Sequence, residues 1–146
     1  MSTSLTKRVL ILEDSTTQSR IIAKMFGKLD FAVTAVADHS AFVRLLCDEN
    51  WDLLVIDVFV EGENSLEHLN EFRALKPDVP IAIMTAGKDS HMDGASAALN
   101  RARRANVDFL LPKPFDLIDI RQIRTALDAE AAKRAIHVED GTVYLD

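Results

Sequence analysis

The segment RVLILEDSTTQ, residues 8–18, joins an apolar strand to an acidic end. Its apolar residues follow one another without alternation, which is typical of a parallel strand that is covered on both faces. The run then ends on two adjacent carboxylates, Glu13 and Asp14. Neighbouring acids repel each other and are costly to desolvate. Their position therefore indicates a site that uses negative charge.

Further apolar runs follow, separated by segments with helical periodicity. The predicted strands are residues 8–13, 31–37, 52–57, 80–85 and 107–111. The predicted helices are residues 15–29, 38–49, 64–75, 90–105 and 116–134. This alternation predicts an α/β fold, in which five helices cover a doubly wound, five-stranded parallel sheet through right-handed crossovers.

Length and charge limit the organisation and the function. The 146 residues predict one domain, over residues 7–135, followed by residues 136–146 as a small hairpin or a loose tail. The net charge of −6, from 23 acids against 17 Lys and Arg, argues against direct DNA binding. No stretch reaches the ~20 apolar residues of a membrane helix. We therefore expect a cytoplasmic protein without a membrane segment.

Cysteine and histidine give no local metal-binding pattern. The single cysteine, Cys47, lies in the apolar segment AFVRLLC and is predicted to be a small core residue. The four histidines share no ligand spacing along the chain, so we interpret them as surface residues. They are His39, His68, His91 and His137.

Polar residues stand at or just after the ends of four of the five predicted strands. Glu13 and Asp14 end the first, Asp57 the third and Thr85 the fourth, while Lys113 follows the fifth. The carboxyl ends of parallel strands share one edge of the sheet, and ligands bind there where the strand order reverses. The sequence therefore predicts that these five side chains line one crevice.

The residue types in this crevice favour phosphoryl chemistry. Three carboxylates held close together require a cation, and Mg²⁺ is the hard divalent ion that prefers such oxygen ligands. A carboxylate such as that of Asp57 can attack phosphorus and form an aspartyl phosphate. Lys113 could neutralise a phosphoryl oxygen, and the Thr85 hydroxyl could donate a hydrogen bond to the same group.

These residues resemble those of a known family, the receiver domains of response regulators in two-component signalling. The matching motifs are the acid pair in LILEDS, Asp57 in LLVIDV, Thr85 in IMTA and Lys113 in PKPF, and the resemblance covers about residues 7–130. It implies a flavodoxin-like strand order, 2-1-3-4-5. It also implies a cis peptide bond between Lys113 and Pro114.

The resemblance further implies a function and a metal site. Asp57 would accept a phosphoryl group from a histidine kinase or a histidine phosphotransfer protein. Lys113 and Thr85 would assist this transfer, and the protein would be a signalling component and not an enzyme in the ordinary sense. Mg²⁺ would be held by Glu13, Asp14, Asp57 and the backbone carbonyl of Phe59.

The expected output is protein contact. The family uses the face formed by the fourth helix, the fifth strand and the fifth helix, and a homodimer is left open. About a dozen residues after the last predicted helix cannot form an output domain. We therefore expect either a single-domain regulator, which is the interpretation we favour, or a fragment of a longer protein. One departure lies on that face: Leu110 occupies the position of the family's switch aromatic, and Phe109 beside it is expected to face the other side of the sheet.

Three alternatives remain. The chain could be a receiver-like interaction module that switches without phosphate, since the loop VFVEGENSLE and Leu110 differ from the family pattern. A phosphatase of the haloacid-dehalogenase type would need a second aspartate where Phe59 stands. A flavodoxin-like electron carrier would need a phosphate-binding loop where the sequence has the acidic segment EDSTTQ.

Overall fold

The main sheet has five parallel strands. The computed structural model describes residues 6–85 and 107–139, with side chains described as far as residue 132. The strands of this sheet are β1 (Lys7–Leu12), β2 (Phe31–Val36), β3 (Leu53–Asp57), β6 (Ile81–Thr85) and β7 (Phe109–Pro112). Their order is β2-β1-β3-β6-β7, and every neighbouring pair is parallel. The predicted order 2-1-3-4-5 is confirmed, with β6 and β7 as its fourth and fifth strands.

Four α-helices lie in the described part of the chain. They are α1 (Thr16–Gly27), α2 (His39–Asp48), α3 (Leu69–Leu75) and α4 (Leu117–Glu139), and a 3₁₀ helix (Ser65–His68) precedes α3. The predicted helix over residues 90–105 lies outside the described residues. Helix α4 corresponds to the fifth predicted helix.

The last helix ends later than the predicted residue 134. Helix α4 continues to Glu139, past the predicted domain end at residue 135. Residues 136–139 are therefore helical, and the domain boundary at residue 135 stays a prediction. The rest of the predicted tail, residues 140–146, lies outside the described residues.

The two faces of the sheet bury separate apolar clusters. Successive side chains of β1 point to opposite faces, so Leu10 and Leu12 pack with Phe42 on one side, while Val9 and Ile11 pack with side chains of α1 and α4 on the other. All four β1 side chains are fully buried. Each contributes roughly 1.5–3 kcal/mol relative to an exposed side chain. This two-sided burial explains why the strand lacks polar alternation.

Helical phase explains the misassignment of Cys47. Helix α2 buries Phe42 and Leu46, which are one turn apart on the same face. Cys47 is about 100° further around the helix than Leu46, and it is exposed. The prediction of a core cysteine is therefore wrong.

A short hairpin follows β3 and leads toward α3. Its strands β4 (Phe59–Val60) and β5 (Glu63–Asn64) are antiparallel and are joined through Glu61 and Gly62. Both turn residues have positive φ, 52° and 76°, as the tight turn of a two-residue hairpin requires. The Asn64 side chain then accepts a hydrogen bond from the backbone N–H of Leu66, which starts the 3₁₀ helix.

Among the described helices, none is long and apolar enough to span a membrane.

Candidate functional site

The carboxyl edge of the sheet brings three acids together, and we call this site the acidic crevice (Glu13, Asp14, Asp57, Thr85 and Lys113). Carboxylate oxygens of Glu13, Asp14 and Asp57 all lie within 4.8 Å of one another. Parallel pairing explains this: Leu12 of β1 lies opposite Ile56 of β3, so the next residues of the two strands also become neighbours.

Lys113 reaches into the crevice from the end of β7. Its backbone N–H donates to the Thr85 carbonyl at 2.9 Å, which fixes it beside the end of β6. Its Nζ donates to Glu13 Oε1 at 2.8 Å and to Asp57 Oδ2 at 3.4 Å. Thr85 itself is the last residue of β6 and is buried. The five predicted side chains thus lie at one edge, and their chemical roles remain predictions.

Burial and charge set the protonation of the central pair. Burial raises the pKa of Asp57 from 3.8 to about 6, and the negative charge of Glu13 adds to this rise while Lys113 opposes it. Burial alone would lower the pKa of Lys113, but its hydrogen bond to Glu13 and the charge of Asp57 raise that pKa above its ordinary value. One ammonium group therefore does not compensate the carboxylates around it, and the crevice favours an additional cation.

Backbone amides fix the acid pair after β1. The N–H of Ser15 donates to Glu13 Oε2 at 3.1 Å, and the Ser15 side chain in turn caps α1. The N–H of Glu61 donates to Asp14 Oδ2 at 2.9 Å, which connects the acid pair to the β4–β5 hairpin. Glu13 is buried and Asp14 is exposed. The crevice is thus closed on one side and open to solvent on the other.

The donor set fits Mg²⁺. All side-chain atoms that the acid cluster offers as metal ligands are carboxylate oxygens, the hard ligands that this ion prefers. Phe59 stands two residues after Asp57, at the start of β4, and it is 47% exposed. The assignment of its carbonyl as a ligand stays a prediction.

Two expectations taken from the family resemblance are confirmed near the crevice. The peptide bond between Lys113 and Pro114 is cis. Leu110 and Phe109 pack on opposite faces of the sheet, Leu110 beside the cluster of Phe42 and Phe109 beside the cluster of Phe26. An aliphatic side chain therefore occupies the position expected for the switch aromatic.

Two of the four histidines interpreted as surface residues lie together in the structure, which the sequence did not predict. His39 and His68 are partly buried, and their ring centroids are 4.6 Å apart. Both rings face Glu63. No local spacing could have revealed this group, because Glu63 and His68 follow His39 at long distances along the chain and approach it only through the hairpin turn. The side chains of His91 and His137 lie outside the described residues.

Fold and site together define a class of protein: a doubly wound parallel sheet with three acids, a hydroxyl and a lysine at its carboxyl edge. The response regulator receiver domain family matches residues 9–125. The chain belongs to the response-regulator receiver family.

Curated relatives support this assignment and are longer than this chain. The regulatory protein VirG of Agrobacterium fabrum (strain C58 / ATCC 33970) is 34% identical over 122 residues, which is 83% of this chain and 46% of VirG. The DNA-binding transcriptional regulator NtrC of Azospirillum brasilense is 25% identical over 134 residues, which is 91% of this chain and 27% of NtrC. The chain thus spans less than half the length of these two relatives.

Solved structures share the fold. A receiver domain protein (CheY-like) from Methanospirillum hungatei JF-1 has a TM-score of 0.73 at 20% identity, over 89% of this chain and 99% of that one. The receiver domain of the sensor histidine kinase PA1611 from Pseudomonas aeruginosa PAO1 has a TM-score of 0.67 at 24% identity, over 80% and 93%. That structure has a magnesium ion coordinated in its active site cleft.

Proposed function

We propose that the protein is a phosphoacceptor receiver, in which Asp57 takes a phosphoryl group from a phosphohistidine of a kinase or a phosphotransfer protein. The observation that carries the proposal is the contact of one ammonium group, Lys113 Nζ, with both Glu13 and Asp57 inside a cluster of three acids. This arrangement combines a nucleophile with positive charge for the incoming phosphoryl group.

Phosphoryl transfer would use the Asp57 carboxylate as the nucleophile. One of its oxygens forms a bond to phosphorus while the phosphorus–nitrogen bond of the donor breaks, and the electron pair of that bond stays on the imidazole. The pKa of about 6 for Asp57 leaves the carboxylate ionised at neutral pH. The Lys113 ammonium, already 3.4 Å from Asp57 Oδ2, would then donate to a phosphoryl oxygen.

We propose that Glu13, Asp14, Asp57 and the Phe59 carbonyl hold Mg²⁺. When bound, this ion neutralises charge on the phosphoryl oxygens. The chain itself keeps the acid pair in position through the amides of Ser15 and Glu61. The magnesium in the PA1611 receiver supports this choice of ion.

Phosphorylation would signal by changing which conformation is favoured. The phosphoryl group brings roughly two negative charges and three acceptor oxygens to the crevice. Thr85 ends β6 and Lys113 precedes α4, so contacts of both with the phosphoryl group would move these elements together. The protein target would bind the face that includes β7 and α4. The cytoplasmic location, the lack of DNA binding and the single-domain organisation stay predictions.

The phosphate-independent interaction module remains the second candidate. It is favoured by one observation, the aliphatic Leu110 at the switch position. The intact set of acids and Lys113 speaks for phosphate, because an interaction surface alone does not need a charged crevice that opposes the ionisation of its own central acid.

Intact-protein mass after incubation with a small phosphodonor and Mg²⁺ tests the proposal. We expect wild type to gain one phosphoryl group and Asp57→Asn to gain none. Asp52→Asn is a matched control, because Asp52 stands just before the opposite end of β3 and its carboxylate accepts from the Arg8 backbone. No gain in wild type, with histidine-phosphorylated donors also supplied, would favour the phosphate-independent module.

The signalling step needs its own test. Thr85→Ala should still accept the phosphoryl group but should lose the change in partner affinity that phosphorylation causes, whereas Thr85→Ser should retain it because the hydroxyl is preserved. A Thr85→Ala protein that responds as wild type does would remove Thr85 from the switching mechanism.

A further inference from the structure

We propose that His39, Glu63 and His68, which we call the histidine cluster, form a binding site for a borderline divalent metal ion such as Zn²⁺. One ligand atom from each side chain lies within 4.8 Å of the other two. The site is separate from the acidic crevice and shares no residue with it. The inference therefore stands or falls independently of the proposed phosphoacceptor function.

The spacing of the ligand atoms fits tetrahedral coordination. His39 Nδ1 lies 3.4 Å and His68 Nε2 lies 3.6 Å from the same oxygen, Glu63 Oε2. Two ligands on a tetrahedral Zn²⁺, each with a bond of about 2.0–2.1 Å, are about 3.3 Å apart. An ordinary N–H···O hydrogen bond is about 2.7–3.2 Å long, shorter than both separations. The two imidazole nitrogens are thus as far from the Glu63 oxygen as ligands on one Zn²⁺ are from each other, and all three ligand atoms lie within 4.8 Å of one another.

A buried hydroxyl orients one of the two imidazoles. His39 Nε2 lies 3.4 Å from the Oγ of Ser65, which is fully buried. The Ser65 N–H donates to the Val58 carbonyl at 2.7 Å, so its position is fixed by the end of β3. When Nε2 carries the ring proton and donates it to Ser65 Oγ, the lone pair of Nδ1 is available to a metal ion. Such an outer partner commonly sets the tautomer of a metal-binding histidine.

Packing also restricts the second imidazole. The His68 ring stacks on Phe72, with centroids 6.2 Å apart and ring planes inclined by 24°. Phe72 is fully buried in the core. Because both histidines are held by neighbours, little side-chain freedom remains to be lost when a metal binds.

The cluster is accessible from solvent. An open cleft with a volume of about 430 Å³ is lined by Asp38, His39, Ser40, Glu61 and Glu63. His39 is the first residue of α2, and a helix N-terminus disfavours a cation. The three acids that line the cleft oppose this effect. Zn²⁺ therefore has both an entry path and compensating negative charge.

The ligand types separate this site from the acidic crevice. Imidazole nitrogens favour first-row metals such as Zn²⁺, Co²⁺, Ni²⁺ and Cu²⁺, whereas Mg²⁺ prefers oxygen ligands. Two imidazoles and one carboxylate leave a fourth position for water. Excess Mg²⁺ should thus fill the crevice and leave the histidine cluster free for the probe metal.

Calorimetry and spectroscopy on the full chain test the proposal. In excess Mg²⁺, wild type should bind one equivalent of Zn²⁺, and Co²⁺ should develop the visible absorption of a four-coordinate ion. Loss of a residue that only orients a metal ligand typically costs about 10- to 100-fold in affinity. Glu63→Gln and His68→Gln each remove a ligand itself, so each should weaken Zn²⁺ binding by at least about 100-fold. Ser65→Ala should weaken it by about 10-fold.

Controls make the outcome decisive. Glu63 is 61% exposed, so Glu63→Gln reports ligand loss without a change in the core. Asp57→Asn should bind Zn²⁺ as wild type does, because Asp57 lies in the acidic crevice and not in the histidine cluster. Unchanged binding in Glu63→Gln and His68→Gln, or no binding in wild type, would overturn the site. A loss that follows Asp57 instead would assign the metal to the crevice and equally overturn the proposal.

Discussion

The acidic crevice and the histidine cluster flank the same hairpin but are assembled in different ways. The crevice uses residues at the ends of β1, β3, β6 and β7, where parallel pairing fixes their positions. The histidine cluster uses the start of α2, strand β5 and the 3₁₀ helix, which come together only through the turn at Glu61 and Gly62. A sheet edge therefore assembles a site from regular structure, whereas a loop assembles one from an individual turn.

The sharpest way to separate the two regions is their response to Mg²⁺. Asp14→Asn should lower Mg²⁺ affinity by about 100-fold, because it removes one negative charge beside a divalent ion. Glu63→Gln should leave this affinity unchanged, although Glu63 lies in the hairpin that contacts Asp14. Isothermal titration of both variants checks the prediction, and an equal loss in Glu63→Gln would mean that the two regions form a single site.

The free energy of unfolding should distinguish them next. The pKa of Asp57 is about 6 in the folded protein and 3.8 when the carboxyl is unperturbed, as in the unfolded chain. Ionisation of Asp57 therefore lowers the free energy of unfolding, and this loss of stability is fully present above pH 6. Without Mg²⁺, Asp57→Asn should therefore stabilise the protein by about 2 kcal/mol at pH 7. Glu63→Gln should leave the free energy of unfolding almost unchanged.

The pH dependence supplies the check on that result. The folded state holds its Asp57 proton more tightly, so the stability of wild type should rise as pH falls from about 6 toward 3.8. Urea unfolding should then show the advantage of Asp57→Asn disappear near pH 4. An advantage that is the same at both pH values would point to altered packing and not to charge.

Lys113 allows a smaller test of the crevice. Its ammonium binds Glu13 and Asp57, two of the proposed metal ligands, and so opposes a bound cation. Lys113→Met should therefore raise Mg²⁺ affinity by about 10-fold. Lys7→Met is the control, because Lys7 lies at the opposite edge near Asp128 and should not affect Mg²⁺. A decrease in affinity for Lys113→Met would show that the lysine supports the site instead of competing with the ion.

The turn between the two regions should give the smallest effect. Gly62 has a φ of 76°, and nothing lies within 4 Å of the place that a methyl group would take, so Gly62→Ala is opposed by backbone conformation and not by a clash. It should destabilise the protein by about 1 kcal/mol. Gly27→Ala, at the end of α1 and with equal space, should instead be neutral or stabilising. Thermal unfolding of the pair checks the sign, and equal shifts would exclude the turn as the cause.

Trp51 is the single tryptophan of the chain and lies far from the acidic crevice. It is buried just before β3, where its Nε1 donates to the Leu45 carbonyl and its ring centroid lies 4.3 Å from the Arg8 guanidinium carbon. Asp57 is at the far end of β3, six residues after Trp51. Six residues of extended chain span about 20 Å, which is the distance between the two residues. Quenching of Trp51 is therefore a poor measure of metal binding at the crevice, and calorimetry is the better one.

Several elements could be predicted because their signals are local or follow from strand pairing. The unbroken run from Val9 to Leu12 predicts a buried parallel strand, and burial on two faces confirms it. The acid pair, Asp57 and Lys113 could be placed at one edge since every parallel strand ends there. The limits of α4 and the exposure of Cys47 were missed, because helix ends and helix phase depend on packing against neighbours.

The sequence by itself determined the sheet, its carboxyl edge and the residues that stand there, since apolar periodicity and strand ends are properties of short segments. Only the tertiary structure decided that His39 and His68 meet at Glu63, and that Asp57 has a raised pKa beside a single ammonium group. The physical reason is that side-chain contacts and desolvation arise between distant segments, and they take definite values only when the backbone has closed around them.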